Sequence, residues 1–431
     1  MSPTHIRLTA DQIKAAFALQ GQRAEGVRMM TTSMIQAETV NLKKMSIVAQ
    51  AKNGTQSEST ERRFHRLISE IELDSIKLGI FLIALLGIKI DKRNKRVLIL
   101  DRTYWPYGET HINILYLAVV HNGTAIPLFF TLLGEGTEHG KKGNSSIEER
   151  KGLIDNFIKA FGVKSIKALV GDREFMGQDW INLLKLKNIP YVMRVKASGI
   201  KIKNAKGHWV MLDEYCKKFE PDMIQNLGFR TLGETKSFTS YLMVLVKTTT
   251  AEEAERQSKE SRGSKNNKNK ANKKALKEGQ VMNFEPEIIV LCYSLGLENV
   301  CELYQTRWTI ETLFYAFKSG GFHIEDTHIT DPKRLIFLMQ VAMIAMAVCV
   351  KVGELVHEIR PIAVKKNGRK KESFMKNGMR NIQAYLSRND RCEKTPINTL
   401  HILRLVKPLN RKSNPSVSYK PPDITRIDTA A

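Results

Sequence analysis

The sequence predicts an α/β protein, a mixed sheet flanked by helices with a helical N-terminal domain ahead of it. Three observations carry this expectation. Apolar residues recur at helical spacing from Thr9 to about Ile88, as in Ile13, Ala16 and Phe17. The texture changes at Arg96, where short apolar runs begin to alternate with turn residues. Strand-like and helix-like runs then succeed one another as far as His357, the order of a layered α/β domain.

In the helical region, Ser57-Glu58-Ser59-Thr60 places cap-type residues ahead of a helix bearing Arg62, Arg63 and Arg66. Such a helix can enter a DNA groove, and it reads equally well as a solvated basic face on a packing helix. Val97–Asp101, Ile112–Val120 and Ala125–Phe130, the last two joined by Asn122-Gly123, predict three successive antiparallel strands. Ser145-Ser146-Ile147-Glu148 resembles a capping box opening a helix with Leu153, Ile154 and Phe157 on its apolar face. A strand from Ile166 to Val170 then runs into Gly171-Asp172. A helix from about Gln178 to Lys187 and a strand at Tyr191–Val195 follow.

Residues 197–284 read as an inserted module with short β-like pieces such as Ser240–Val246. Within it, Arg256–Lys277 holds nine Lys or Arg against one acidic residue, Glu260, and reads as a disordered loop. Ile288–Tyr293 predicts a buried strand, Leu297–Lys318 a helix, and Pro332–His357 a long apolar helix. The expected organisation is therefore a helical N-terminal domain over 1–91, and an α/β domain in two parts, 92–196 and 285–358. The insertion lies between those parts, and a basic helical extension with a flexible tail spans 359–431.

Lys and Arg number 68 against 44 Asp and Glu, a formal charge of +24 that points to a polyanionic partner, with nucleic acid ahead of an anionic membrane surface. The apolar run Leu78–Ile88 is too short to span a bilayer. Leu335–Val350 carries Gln340, and both runs read as core helices, so no membrane is expected. The five cysteines are widely spaced and include no Cys-x-x-Cys pair, which argues against a disulfide framework or a zinc site and fits a reducing cytoplasm. No basic segment leads into an apolar run at Met1, so no secretory signal is expected.

Cleaving and joining phosphodiesters calls for hard oxygen ligands that hold divalent metal ions beside the reacting phosphate. Asp101 and Asp172 each close a predicted strand, where a turn or cap role is the plainer alternative. On one continuous helix, Tyr304, Arg307, Glu311 and Lys318 fall within about 60° of one another, a face that can hold a metal next to a phosphate backbone. An ordinary Arg307–Glu311 pair at i,i+4 is the plainer alternative there.

The spacing Tyr304-x2-Arg307-x3-Glu311-x6-Lys318 resembles the signature of DDE-class insertion-sequence transposases of the insertion sequence four family. Leu100-Asp101-Arg102-Thr103, Gly143-Asn144-Ser145 with Glu148-Glu149-Arg150, and Gly171-Asp172-Arg173-Glu174-Phe175 are similar to that family's blocks around its first two aspartates. The resemblance implies a ribonuclease H-like catalytic domain interrupted by a β-rich insertion, and an N-terminal domain that binds terminal inverted repeats. It further implies that Asp101, Asp172 and Glu311 bind two Mg²⁺ ions, with Mn²⁺ able to substitute, and that the enzyme cuts and then joins double-stranded DNA. Tyr304, Arg307 and Lys318 are expected to grip phosphates and Trp308 to pack on DNA. A homodimer pairing two ends, acting on terminal repeats and target DNA in a bacterial cytoplasm at the nucleoid, completes the expectation. A structure-selective nuclease of the same fold and a domesticated DNA-binding protein without catalysis are the rivals. One departure stands out: close relatives carry a Trp that stacks a flipped base during hairpin formation, where this chain has Glu287. Phe284 and Tyr293 are the aromatic alternatives.

Overall fold

A computed structural model describes residues 7–53, 56–134, 143–247, 287–366, 368–388 and 397–406. The basic stretch at 256–277, Phe284 and the Pro-rich tail lie outside the described residues. The chain divides into two compact units, one running up to Lys167 and resuming at Thr306, the other spanning Ala168–Gln305.

The first unit begins with a short strand β1 (Arg7–Leu8) and five helices: α1 (Ala10–Phe17), α2 (Gly21–Ala37), α3 (Leu42–Asn53), α4 (Ser57–Glu70) and α5 (Ser75–Leu86). Thr9 caps α1 in a reciprocal box with Gln12. In α4 the serines are not caps. Gln56 stands at the N-cap without a side-chain hydrogen bond, so Ser57 already belongs to the first turn. Strands β2 (Arg96–Tyr107), β3 (Thr110–His121) and β4 (Thr124–Leu132) form an antiparallel ladder in the order β4-β3-β2. Helix α6 (Ile147–Phe161) follows, capped by Ser146 with Glu149 at N3, one residue later than the sequence pattern suggested.

β2 is more than twice the expected length, 12 residues. Its second half, Arg102–Tyr107, stays in register with β3 to the pair Tyr107↔Thr110, where Gly108 and Glu109 make the turn. Tyr104, Trp105 and Tyr107 are residues that suit a pleated surface. Asp101 therefore sits in the middle of a strand rather than at its end.

The second unit is built on a mixed sheet. β5 (Ile166–Gly171) lies parallel to β6 (Tyr191–Val195), and β11 (Glu287–Tyr293) pairs antiparallel with β6 on its other edge. The inserted residues extend this sheet, since β10 (Phe238–Lys247) pairs with β11, and β9 (Ile224–Leu232), β7 (Lys201–Lys203) and β8 (Trp209–Met211) continue outward. Among the described residues its helices are α7 (Gln178–Leu186), α8 (Leu212–Cys216) and α9 (Val300–Gln305).

The chain then returns to the first unit with α10 (Trp308–Lys318), α11 (Pro332–Ile359), α12 (Phe374–Arg388), β12 (Ile397–Asn398), which pairs with β1, and α13 (Thr399–Leu405). α11 is long and apolar enough to cross a membrane, but it is buried almost throughout, against α2, α4, α5, α12 and β4. Gln340 is tolerated in its middle because its amide donates to the Leu73 carbonyl at 2.8 Å. The α11–α12 contact depends on glycine. A Cβ at Gly353 would lie 1.9 Å from the Phe374 carbonyl oxygen, and one at Gly378 1.8 Å from that of Cys349. Neither backbone can retreat without parting the helices.

Candidate active site

Asp101 leaves β2 on the face of the odd-numbered residues. Its Oδ1 accepts the Arg102 backbone N–H at 2.8 Å, and its Oδ2 lies 3.3 Å from Nη1 of Arg307. The same guanidinium donates from Nη2 to Glu311 Oε1 at 2.9 Å. One buried cation thus bridges two carboxylates, Asp101 at 206 residues' separation in sequence and Glu311 four residues on, one helical turn away. The i,i+4 pair anticipated as an alternative is present, and it is only half of the arrangement. Arg307 is 8% exposed, which places the charge assembly inside the fold rather than on a solvated helix face.

Tyr304, Arg307, Glu311 and Lys318 do not share one helix. α9 ends at Gln305 and α10 starts at Trp308, with tight i→i−3 hydrogen bonds from Thr309 to Thr306 and from Ile310 to Arg307 between them. The Thr309 hydroxyl also donates to the Thr306 carbonyl at 2.8 Å. These bonds take the place of the α-helical ladder at the junction. Tyr304 belongs to the second unit, where it is 3% exposed and its phenol donates to Asp172 Oδ1 at 3.4 Å. Its partner there is the carboxylate, not solvent.

Asp172 follows β5 directly, as expected, and its carbonyl accepts the Phe175 N–H at 3.0 Å in a short 3-10 turn. Gly171 lets Met193 pack close to the chain at that exit, since a Cβ there would lie 2.7 Å from Met193 Sδ. Arg194 on β6 was not anticipated. Its guanidinium donates to Glu287 at 2.7 Å. Burial works against its charge, yet neighbouring Tyr304, Glu287 and Asp172 raise its pKa above the ordinary value. The signal was a lone cation in the apolar run Tyr191-Val192-Met193-Arg194-Val195. Glu287, where a stacking ring was absent, is thus an ion-pair partner. Tyr293 is no open platform either: it is 6% exposed, its ring tilts against Tyr241 and its phenol donates to Asn226 at 3.3 Å.

Lys318 reaches back to β2. Its ammonium donates to the Tyr104 carbonyl at 3.0 Å, lies 5.7 Å from the Trp105 ring centre and pairs with Glu325 at 2.9 Å. Trp308 is half-buried on the first turn of α10. The block at 143–150 docks the opposite, even-numbered side. Arg102 donates to Asn144 at 3.2 Å, Asn113 to the Gly143 carbonyl at 2.9 Å, and buried Arg150 to both the hydroxyl and the carbonyl of Ser145. On α4, Arg62 and Arg66 are exposed one turn apart, while half-buried Arg63 approaches the Gln22 carbonyl at 3.5 Å.

Among the described residues no group of three or more His, Cys, Asp or Glu side chains stands ready around one point to hold a metal. The donor chemistry of the Asp101–Glu311 pair nevertheless fits a hard cation, since two carboxylates converge on one positive charge that the guanidinium supplies. No curated protein matches the chain. The family model for the transposase DDE domain matches residues 92–348, more than half of the sequence and the whole stretch from ahead of Asp101 to beyond Lys318, so the chain belongs to the DDE-domain transposases.

Proposed function

We propose that this transposase works by cut and paste: it binds the terminal inverted repeats of its element, cleaves both ends and joins the freed 3′-hydroxyls to target DNA. The observation that carries the reading is the sharing of one buried guanidinium by Asp101 and Glu311, two acids held close by a cation in a DDE-family domain. Asp101 and Glu311 bind divalent metal, and the third carboxylate that the reaction requires is assigned to Asp172. Mg²⁺ is the natural occupant and Mn²⁺ a substitute, because every proposed protein ligand is a carboxylate oxygen. When bound, two such ions activate the attacking oxygen and stabilise the leaving one.

The protein groups divide the remaining work. Tyr304 holds the Asp172 carboxylate through its phenol. Arg307 neutralises Asp101 and Glu311, and a metal held by those two carboxylates would leave the guanidinium free to address a phosphate oxygen. Lys318 faces the same strand and contributes a second phosphate contact. The exposed Arg62 and Arg66 on α4 supply charge for repeat binding, and a homodimer pairs the two ends in the cytoplasm, at the nucleoid.

Incubating the purified chain with its own terminal repeats, a target duplex and Mg²⁺ tests this by showing both cleaved and joined products. Asp101→Asn, Asp172→Asn and Glu311→Gln should each abolish both products while leaving repeat binding largely intact. Cutting at near wild-type rate by any of the three would overturn its assignment as a ligand. Cutting without joining would identify a nuclease instead, and binding without either would identify a DNA-binding protein that has lost catalysis.

A further inference from the structure

Three contacts on one face of β2 line up. Asp101, Trp105 and Tyr107 are odd-numbered residues of a strand that pairs with β3 without a bulge, so their side chains leave the same face. Asp101 meets Arg307, Trp105 lies under Lys318, and the Tyr107 phenol is 2.8 Å from Nδ1 of His328. The partners ascend in sequence as the strand does, so α10 and the segment after it follow β2 away from the carboxylates. The first two stations belong to the proposed chemistry. The third has no role in it.

Tyr107 and His328 are both exposed, Tyr107 to 38%. Either atom of this bond can donate; when the phenol donates to Nδ1, the neutral imidazole keeps its remaining proton on Nε2, and an imidazolium carries a proton there as well. In both of these states the ring offers an N–H donor in addition to the bond that holds it to Tyr107. Such a donor, presented at the surface of a chain with net charge +24, suits a phosphate oxygen.

We propose that Tyr107 and His328 form a further DNA-backbone contact, with His328 donating to a phosphodiester of the strand that runs from the catalytic carboxylates along β2. Six residues of strand cover about 20 Å, which matches about six nucleotides of axial rise in a duplex strand. The contact therefore falls about six nucleotides from the scissile phosphate. It rests on the transposase reading and adds a positioning surface to it.

The test uses the full chain and end-containing duplexes in which one methylphosphonate, a neutral phosphate, is walked along each strand. Binding is read by titration and cleavage in Mg²⁺ by single-turnover rates. In the wild type, neutralising the phosphate about six nucleotides from the cut should weaken binding up to about tenfold, the loss of one charge-assisted hydrogen bond. His328→Ala should weaken binding to the unmodified duplex by a similar factor and remove the sensitivity at that position alone, which is the signature of a coupled pair. Tyr107→Phe, which keeps the ring and frees the imidazole, should show the same pattern more weakly. A merely structural tie would lower binding while leaving the interference map unchanged, and that result overturns the inference. Wild-type protein that binds repeats with His328-independent interference at every position also overturns it while leaving the transposase reading intact. Failure of the wild type to bind its repeats at all would sink both.

Discussion

Removing the Arg307 guanidinium should destabilise the metal-free protein, and divalent metal should restore most of what is lost. The side chains of Asp101 and Glu311 are 15% and 27% exposed and both lean on this one cation, itself 9% exposed by side chain. Deleting one partner of a buried ion pair costs about 3–5 kcal/mol, and the partial exposure of Glu311 puts Arg307→Ala near the lower figure. A metal present at about a hundred times its dissociation constant returns about 2.7 kcal/mol by mass action, nearly the same amount. Thermal melts in EDTA and in Mg²⁺ should therefore show a variant well below the wild type without metal and close to it with metal. The wild type should gain less from Mg²⁺, because there the ion must displace a cation already in place. The reasoning fails if Arg307→Ala melts with the wild type in EDTA, or if Mg²⁺ raises both proteins equally.

Two further outcomes follow from particular contacts. Tyr304→Phe removes a hydrogen bond to a carboxylate that, at 3.4 Å, is longer than the usual range, so single-turnover cleavage should fall only by about fivefold, equivalent to about 1 kcal/mol; a loss as complete as that of Asp172→Asn would make the phenol part of the chemistry. Burial alone would raise the pKa of Glu354, but hydrogen bonds from His121 and Asn122 and the charges of His121 and Lys351 hold it below the ordinary 4.5. A depressed carboxylate contributes stability that is present above its unfolded pKa and lost as pH falls through the folded one, so Glu354→Gln should flatten the acid side of the stability profile below about pH 4.5. Superimposable acid melting curves for variant and wild type would count against that pairing.

Much of the second unit was legible because its strands are short apolar runs with clear ends. Ile166–Gly171 and Tyr191–Val195 stand where the sequence put them, and Asp172 leaves β5 as expected. The second half of β2 was hidden by Pro106, which argues against a strand and masked the strand-favouring Tyr104, Trp105 and Tyr107, and its length is set by pairing with β3. The break between α9 and α10 was invisible for a different reason. Arg307 keeps helical angles, φ −53° and ψ −37°, so apolar periodicity carries through the turn while the hydrogen bonds change. The i,i+4 contact with Glu311 could be read locally, but the contact with Asp101 joins residues 206 apart and appears only once β2 and α10 are packed.

That long-range contact changes what the two signature cations do. From spacing, Arg307 and Lys318 looked equivalent, two positive charges for a phosphate backbone. In the structure Arg307 sits between two acids, while Lys318 is engaged by Glu325 and the Tyr104 carbonyl. The difference has an electrostatic reason. Like charges about 4 Å apart repel by roughly 4 kcal/mol near a protein surface, a large fraction of a domain's net stability. Acids gathered for a metal therefore need a counter-charge while the metal is absent. A guanidinium meets that need better than an ammonium, because its planar fork can address two carboxylates at once and keeps its proton when buried. Arg307→Lys should accordingly retain the charge and lose the bridge. Its thermal midpoint in EDTA should fall between those of Arg307→Ala and the wild type, and equality with the wild type would show that charge alone, without the fork, is what holds Asp101 and Glu311 together.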